Sequence, residues 1–334
     1  MNILVTGGAG YIGSHTAKAL AQSGYRPVVI DDLSTGHAHN VKWGPLVRAS
    51  LSDTAFVRTV LQECQIEAVI HFAGSALVGE SARQPLSYFQ NNVGGTLSLL
   101  QAMLDAGIKD IVFSSTCATY GSPARVPITE GQPQMPLNPY GDSKLSIERV
   151  IEWMGVAGQL RWVALRYFNA AGADPEGELG EEHEHETHLI PLAIGAALKQ
   201  RESLQIFGTD YPTPDGTAIR DYVHVTDLAS AHVSALQYLS RGGENLALNL
   251  GTGKGASVLE VLEMVQLVGR QRVPATAVPR RAGDPPILVG DPQRARRILH
   301  WEPSHSALGA IVECAWRWHS RSQAQVHINL VTQS

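Results

Sequence analysis

Short apolar runs, rich in β-branched residues, alternate with longer amphipathic stretches through the first half of the chain. The runs have strand length, and the stretches between them repeat leucines at helical spacing, as at Leu97, Leu100 and Leu104, with Gly107 as a helix C-cap. This alternation predicts an α/β fold with a doubly wound parallel sheet that carries helices on both faces. The predicted strands are Asn2–Thr6, Arg26–Asp31, Ala68–Phe72, Asp110–Ser115 and Arg161–Arg166.

The pattern changes after Asn169, and the second half of the chain predicts a smaller α/β lobe that binds a substrate. A polar segment at 172–186, rich in glycine and glutamate, opens this part. The predicted elements that follow are a helix at 189–201, a substrate-facing loop at 208–216, and a helix near 227–239 and a strand near 246–250 that return to the main sheet. The predicted division is a first domain at 1–168 with a return segment near 221–250, a second lobe at 169–220 and 251–325, and a frayed tail at 326–334.

Composition narrows the functional class. With 334 residues the chain can form two lobes that share an interface. Its net charge of −5 provides no electrostatic footprint for nucleic acid, and no apolar run reaches membrane-spanning length. The N-terminus enters a strand directly, without the layout of a signal peptide, and Cys64, Cys117 and Cys314 are far apart, as is typical of reduced thiols. We therefore expect a cytoplasmic enzyme with neither a nucleic-acid nor a membrane partner.

The first strand runs into a glycine-rich turn, Gly7-x-x-Gly10-x-x-Gly13, that opens a helix. Gly7 permits the tight turn, Gly10 lets the backbone approach a pyrophosphate, and Gly13 allows close helix packing. The second strand ends at Asp31, whose carboxylate can accept both hydroxyls of a ribose. Asp32 adds negative charge where NADP carries its 2′-phosphate, so the pattern predicts a Rossmann-type site for NAD. The alternative, a glycine turn without a ligand, leaves the register of strand, turn, helix and Asp31 unexplained.

A second motif, Tyr140-Gly141-Asp142-Ser143-Lys144, follows the strand that runs into Ser114-Ser115-Thr116. Tyr140 and Lys144 share one face of a predicted helix. A phenol has an unperturbed pKa of about 10, and a fixed positive neighbour lowers it, so the pair predicts a base that works while a cofactor takes a hydride. The carboxyl ends of parallel strands face the ligand crevice, which directs the Ser114 and Thr116 hydroxyls to the same place. The structural alternative is a surface Tyr–Lys pair.

With these and several later motifs, the chain resembles the extended short-chain dehydrogenase/reductase family, and within it the UDP-glucose 4-epimerases. The resemblance extends over nearly the whole chain. Its further landmarks are Val69-Ile70-His71-Phe72-Ala73-Gly74, Asn91-Asn92-Val93-Gly94-Gly95-Thr96, Arg166-Tyr167-Phe168-Asn169, Arg220-Asp221-Tyr222-Val223-His224-Val225 and Arg280-Arg281-Ala282-Gly283-Asp284.

The resemblance implies a role for each site residue. Tyr140 would be the catalytic base, Lys144 its electrostatic tuner and the anchor of the nicotinamide ribose, and Thr116 the hydroxyl that hydrogen-bonds the sugar O4. The implied NAD contacts are Gly7, Gly10, Tyr11, Ile12, Gly13, Asp31, Asp32, Ser50, Leu51, Phe72, Ala73, Gly74, Asn91, Ser114, Tyr140, Lys144 and Phe168. The implied UDP-sugar contacts are Thr116, Asn169, His188, Leu189, Gln205, Ile206, Phe207, Arg220, Arg281 and Asp284. A homodimer is implied as well.

The implied reaction interconverts UDP-glucose and UDP-galactose through a transient 4-keto sugar. The C4 hydride passes to NAD and returns to the opposite face of the sugar, so NAD is a tightly held catalyst. Guanidinium groups suit the diphosphate because they bind its oxygens in a bidentate way. The alternative for Arg220 is a salt bridge to Asp221 or Asp227.

Departures from the family pattern leave other substrates and functions possible. Ser50 stands in place of the usual aspartate for the adenine amine, and the bulk of Leu288 argues against N-acetylated hexoses. Epimerases of UDP-pentoses, UDP-uronates or UDP-N-acetylhexosamines remain alternatives. A nucleotide-sugar dehydratase would need Thr-Asp-Glu where this chain has Thr116-Cys117-Ala118. A non-catalytic NAD-binding module would not require an intact Tyr140 and Lys144.

Two further patterns are set aside. His183-x-His185-x-x-His188 lies among carboxylates, and such a loop is more often a solvated acidic segment, so no metal is expected. Gly251-Thr252-Gly253-Lys254-Gly255 lacks the full pattern of a phosphate loop and is predicted to follow a sheet strand beneath the substrate.

Overall fold

A computed structural model describes residues 1–281 and 283–331, with side chains described up to residue 321. The strands are β1 Asn2–Thr6, β2 Arg26–Asp31, β3 Leu46–Arg48, β4 Ile66–His71, β5 Asp110–Thr116, β6 Arg161–Tyr167, β7 Asn169–Ala171, β8 Leu204–Phe207, β9 Ile219–Arg220, β10 Tyr222–His224, β11 Leu246–Leu250, β12 Ala256–Ser257, β13 Ala275–Val278 and β14 Ile287–Leu288. The α-helices are α1 Tyr11–Gln22, α2 Thr54–Glu63, α3 Val78–Arg83, α4 Pro85–Tyr88, α5 Gly95–Ala106, α6 Pro139–Val156, α7 Leu189–Ala197, α8 Val225–Ser240, α9 Val258–Gly269, α10 Gln293–Leu299 and α11 Leu308–Val331.

The main sheet has seven strands in the order β11-β6-β5-β4-β1-β2-β3, and all neighbouring pairs are parallel. The predicted doubly wound α/β fold is therefore confirmed. Strands β1, β2 and β11 have the predicted bounds, whereas β4 begins at Ile66 rather than at Ala68. The short edge strand β3 was not predicted.

Both faces of the sheet are buried because successive side chains of a strand point to opposite sides. Along β1, Ile3 and Val5 lie in the core beneath helices α1 and α8, whereas Leu4 lies in the opposite core, beneath α2 and α5. Helix α8 packs on α1, and β11 pairs with β6, so the segment after β10 returns to the main sheet as predicted. The layers hold the carboxyl ends of β1, β4 and β5 side by side.

The remaining elements pack around a third core, formed largely by helices α7, α9 and α11. Three small sheets belong to this part: β8 with β13, β7 with β10, and β9 between β12 and β14. Helix α7 ends at Ala197 rather than at the predicted Arg201, because Lys199 has a left-handed backbone with φ of 59°. The predicted domain boundaries stay a prediction.

Helix α11 continues to Val331 and so includes part of the segment 326–334 that was predicted to fray. Residues 332–334 lie outside the described residues. Among the helices of the described chain, we found none both long and apolar enough to cross a membrane.

Candidate active site

The glycine turn joins the ends of β1, β4 and α1 so closely that side chains would not fit. Gly7 has φ of 67°, and a Cβ there would lie 2.6 Å from the Ala73 nitrogen. A Cβ on Gly13 would lie 2.3 Å from the Gly7 carbonyl oxygen. Helix α1 begins after Gly10, which contributes no side-chain cap, so the helix N-terminus is available to a phosphate group. The turn therefore fits the pyrophosphate of a dinucleotide.

Asp31 is held beside this turn at the end of β2. One carboxylate oxygen accepts the Ala9 N–H at 3.0 Å and the other accepts the Leu33 N–H at 2.9 Å. Burial raises the pKa of this carboxyl, while the two N–H donors oppose the shift. Asp32 accepts the Ser34 N–H at 2.9 Å. The fixed carboxylates suit ribose hydroxyls and disfavour a 2′-phosphate.

The loop after β4 is tied to the helical segment that carries two adjacent asparagines. Asn91 is exposed and donates to the Ser75 hydroxyl at 3.0 Å. Asn92 is buried, accepts the Ser75 N–H at 2.8 Å and donates to the Ser143 hydroxyl on α6 at 3.0 Å. Sequence reasoning named Asn91 but missed Asn92, which positions the loop that follows Gly74. Phe72, Ala73 and Gly74 thus lie at the same edge as the glycine turn.

Helix α6 brings Tyr140 and Lys144 to the end of β5, as predicted. Asn138 caps the helix by accepting the Gly141 N–H at 2.9 Å, and Pro139 occupies its first turn. The Lys144 ammonium is buried, donates to the Ser114 carbonyl oxygen at 2.9 Å and lies 5.0 Å from the centroid of the Phe113 ring. The helix and the strand are therefore joined through Lys144.

The electrostatics of the pair differ from the sequence prediction. Burial raises the pKa of Tyr140 to about 12, although a hydrogen bond with Thr116 acts in the opposite direction. Burial also lowers the pKa of Lys144 to about 8, against the attraction of Glu148. The predicted lowering of the phenol pKa by Lys144 is thus wrong for the protein alone. The reason is that loss of solvent outweighs other effects at both groups, and the ammonium is directed at the Ser114 carbonyl.

A buried polar network lies beneath the site and was not predicted. Glu148 follows Lys144 by one helical turn and pairs with Arg166 of β6, with 2.6 Å between Nη2 and Oε2. Ser115 donates to the same carboxylate. Arg166 also donates to the Tyr120 hydroxyl at 2.9 Å. The available sequence signal was Arg166, a charged residue within the apolar run of β6, because a buried charge requires a partner.

Tyr167 is a second residue that sequence reasoning left unassigned. Its hydroxyl shares a hydrogen bond with the Ser114 hydroxyl, so the strand end that receives Lys144 is also bonded to β6. Phe168, a predicted cofactor contact, is buried against Tyr120 and Ile128.

On the substrate side, Arg220 pairs with Asp284, and both were predicted to contact the diphosphate. The alternative partners of Arg220 are engaged elsewhere: Asp221 accepts the Thr252 N–H at 3.0 Å, and Asp227 accepts the His305 N–H at 2.9 Å. Arg220 therefore does form a salt bridge, as the structural alternative expected, but the expected partners Asp221 and Asp227 are wrong, because the partner is Asp284.

The buried Asp221 also explains why the glycine-rich segment after β11 is not a phosphate loop. Its carboxylate accepts the N–H groups of Thr252 and Gly253, at 3.0 and 3.3 Å, together with that of Gly290 at 3.1 Å. Burial raises the pKa of Asp221 to about 6. Asn169 donates to the Asp221 carbonyl oxygen at 3.0 Å, which joins β7 to this centre.

Other predicted substrate contacts form two groups. The Arg281 guanidinium lies 3.9 Å from the centroid of the Phe207 ring at the end of β8, which also carries Gln205 and Ile206. His188 occupies the N-cap position of α7, just before Leu189, and its Nδ1 is hydrogen-bonded to the Glu181 carboxylate instead of to the helix. That carboxylate raises the pKa of His188 to about 9. In this structure His188 therefore faces the acidic loop. Two predicted cofactor contacts, by contrast, lie near β3: Ser50 is exposed and Leu51 is buried.

Comparison with known proteins adds independent information. The sequence profile of the NAD dependent epimerase/dehydratase family matches residues 3–251. The chain is 53% identical over 320 residues to the UDP-glucose 4-epimerase of Rhizobium meliloti (strain 1021), and the match covers 96% of this chain and 97% of that protein. It is similar to the crystal structure of UDP-glucose 4-epimerase from Brucella ovis in complex with NAD, with a TM-score of 0.93 and 52% identity. The match covers 95% of this chain and 98% of that chain. It is also similar to the crystal structure of UDP-glucose-4-epimerase from Stenotrophomonas maltophila with bound NAD and formylated UDP-arabinopyranose, with a TM-score of 0.94 and 41% identity. The match covers 97% of this chain and 99% of that chain.

Proposed function

The chain belongs to the NAD dependent epimerase/dehydratase family, and we propose that Tyr140, Lys144 and Thr116 perform its chemistry on a UDP-sugar. It is an NAD-dependent UDP-glucose 4-epimerase, an isomerase that interconverts UDP-glucose and UDP-galactose through a transient 4-keto sugar. The observation that carries this conclusion is the 53% identity over 96% of the chain to a protein of that name.

NAD, when bound, accepts the hydride from C4 of the sugar and returns it. Tyr140 removes the proton from the sugar O4 and later gives it back, while Thr116 hydrogen-bonds the same oxygen. Because burial raises the pKa of Tyr140 to about 12, the phenol needs positive charge nearby to act as a base near neutral pH. The buried ammonium of Lys144 and the oxidised nicotinamide ring provide that charge.

The cofactor and the diphosphate are held by different parts of the chain. The glycine turn and Asp31 bind NAD within residues 1–168. The UDP-sugar binds to the lobe formed by 169–220 and 251–325, where Arg220 exchanges part of its contact with Asp284 for the diphosphate. Remote binding of this kind leaves the hexose free to turn and to present its opposite face. The pairing of Arg220 with Asp284 supports this role because it holds a guanidinium in place before substrate arrives.

The dehydratase alternative requires an acid and a base directly after Thr116. The residues there are Cys117 and Ala118, and burial raises the pKa of the Cys117 thiol to about 12, so it stays protonated. Elimination of water therefore lacks its catalytic groups. Leu288 packs against the cluster around Phe168, which supports a preference for hexoses without an N-acetyl group.

A cytoplasmic homodimer completes the proposal. Apolar side chains are exposed on helices that flank the site: Leu97 of α5 is 48% exposed, and Trp153 and Val156 of α6 are 72% and 74% exposed. Covering these side chains with a second copy would remove apolar surface from water. The thiols of the three cysteines are free, which suits a reducing compartment. Light scattering on the purified protein measures the assembly state directly.

The deciding experiment is incubation of the purified protein with UDP-galactose and no added NAD. We expect UDP-glucose to form without net accumulation of NADH, because the hydride returns to the sugar. Absence of turnover with UDP-hexoses, in protein that contains NAD by extraction, would contradict the proposed function. Turnover of UDP-pentoses or UDP-N-acetylhexosamines at a higher rate would instead reassign the sugar.

A further inference from the structure

The polar segment between Gly172 and α7 folds so that two histidines and two glutamates point at one another. Glu181, His183, Glu186 and His188 each offer one ligand atom, and the four atoms lie within 4.8 Å of one another. We call these four residues the histidine–glutamate cluster. His185, which lies in the same loop, does not belong to it.

The spacing inside the histidine–glutamate cluster resembles that of a tetrahedral metal site. The His183 Nδ1 lies 3.2 Å from a Glu186 oxygen and 3.4 Å from a Glu181 oxygen, and the His188 Nδ1 lies 3.8 Å from Glu186. Zinc–nitrogen and zinc–oxygen bonds of about 2.0–2.2 Å place tetrahedral ligand atoms about 3.3 Å apart. The His188 Nδ1 and the Glu181 carboxylate are in direct hydrogen-bond contact, so a metal ion that binds here replaces this bond and moves these two ligand atoms apart.

Contacts within the cluster and one contact from outside it hold the two carboxylates in place. One Glu186 oxygen accepts the N–H groups of Thr187 and His188, both at 2.7 Å, which fixes the carboxylate. Glu181 is 3% exposed, so its carboxylate is buried and faces imidazole groups. The Thr187 N–H is a contact from a second layer, which is typical of metal ligands.

A neighbouring group of carboxylates differs from the histidine–glutamate cluster because its charge is balanced by a lysine. Asp174, Glu176 and Glu178 are also close together, but they surround the Lys18 ammonium at 2.9, 2.5 and 2.7 Å. A lysine ammonium has no lone pair for a metal and already supplies the charge that these carboxylates need. In the histidine–glutamate cluster the ion-pair partners are imidazoles, which can replace a proton by a metal.

We propose that Glu181, His183, Glu186 and His188 form a binding site for one divalent transition-metal ion of the Zn²⁺ class. Two imidazoles and two carboxylates provide the nitrogen–oxygen ligand set that such ions accept, and the two carboxylates balance the charge of the ion. The ion links the polar segment to the start of α7, because His188 is the N-cap residue directly before that helix.

The test uses the full-length, tag-free protein with its NAD, treated with chelator and then titrated with Co²⁺ as a visible probe. We expect one equivalent of Co²⁺ to bind with the absorption of a tetrahedral complex, and Zn²⁺ to displace it. His183→Gln should weaken binding by at least tenfold, since even second-layer changes at metal sites cost about 10- to 100-fold. Zn²⁺ should also raise the thermal midpoint of the wild type and not that of the variant.

His185→Gln is the matched control, because it removes an imidazole from the same loop but outside the cluster; it should bind Co²⁺ like the wild type. Glu186→Gln provides a second ligand variant if His183→Gln folds poorly by circular dichroism. Weak, non-stoichiometric binding that is equal in all the variants would mean an adventitious ion only and would overturn the proposal.

Discussion

The ammonium of Lys144 donates a hydrogen bond to the main-chain carbonyl oxygen of Ser114 at a distance of 2.9 Å. This bond joins helix α6, which carries Tyr140, to the end of strand β5, which carries Thr116. The lysine is buried there, and its pKa falls to about 8. One side chain thus ties the helix that carries Tyr140 to the strand that carries Thr116.

Tyr140→Phe should remove the catalytic base while leaving the ring in place. We expect kcat to fall by about 10²- to 10⁴-fold, the usual contribution of a general acid–base group. Bound NAD should remain detectable by extraction, because Tyr140 is one of many cofactor contacts. Tyr25→Phe removes a phenol remote from the site and should leave kcat unchanged. Near-full activity of Tyr140→Phe would assign the base elsewhere.

Gly13→Ala should disrupt the cofactor turn. The added Cβ would lie 2.3 Å from the Gly7 carbonyl oxygen, so the turn or α1 must shift. We expect the purified variant to contain much less NAD than the wild type, measured by absorbance after denaturation. Gly131→Ala is the control, since a Cβ there meets no atom within 4 Å. Equal NAD contents in the two variants would contradict the assigned role of the turn.

Arg166→Met should destabilise the fold because it leaves the Glu148 carboxylate buried and unpaired. Removal of one partner of a buried ion pair costs about 3–5 kcal/mol. Urea denaturation measures the loss as a lower midpoint. Arg149→Met, at an exposed position on α6, should change the free energy of unfolding by only about 0.5 kcal/mol or less. A shift no larger than that in Arg166→Met would show that the pair adds nothing to stability.

Mild acid should weaken the fold, because several buried histidines resist protonation in the folded chain. Burial lowers the pKa of His15, His224 and His232 to about 4 and that of His71 to about 3. Unfolded histidine titrates near pH ~6.5, so below that pH the unfolded chain binds protons that the folded chain does not. The free energy of unfolding should therefore decrease as pH falls from about 6.5 to 4, by up to about 1.4 kcal/mol per pH unit for each histidine.

Asp221 acts in the opposite direction, because burial raises its pKa in the folded chain to about 6. Its contribution to the free energy of unfolding therefore decreases as pH rises towards that value. His188, whose folded pKa is raised to about 9, also acts in this direction above pH ~6.5. The four histidines with lowered pKa values outnumber these two groups, so the free energy of unfolding still decreases in acid. Urea midpoints at pH 7.5 and 5.5 check the sign. His232→Leu, which removes one of the buried rings, should reduce the dependence on pH. Equal midpoints at the two pH values would show that these rings are protonated in the folded state.

Local sequence patterns were sufficient for the main sheet and for the motif residues. Strand β1 is a continuous apolar run that ends at a glycine turn, and β11 is another short apolar run, so their limits follow from hydrophobicity. Strand β3 has three residues beside a proline, too few for a periodic signal. It forms because the edge of β2 offers unpaired backbone groups.

The rest of the site depends on contacts between residues far apart in sequence. The pairing of Arg220 with Asp284, and the convergence of three acidic residues on Lys18, require elements to dock first. The pKa of Tyr140 is also a tertiary property, since burial by surrounding elements outweighs a lysine one turn away. Spacing along a helix therefore predicted the neighbour correctly and the direction of the shift incorrectly.

The late return of β11 to the sheet has a consequence during synthesis. Its partner β6 is complete at Tyr167, but β11 is made only after the intervening lobe segment and α8. At translation speeds of about 5–20 residues per second, the nascent chain therefore spends several seconds with the apolar edge of β6 unpaired. An open strand edge is a template for association with other chains. The ribosome-bound protein thus passes through an aggregation-prone stage that ends only when the seventh strand emerges.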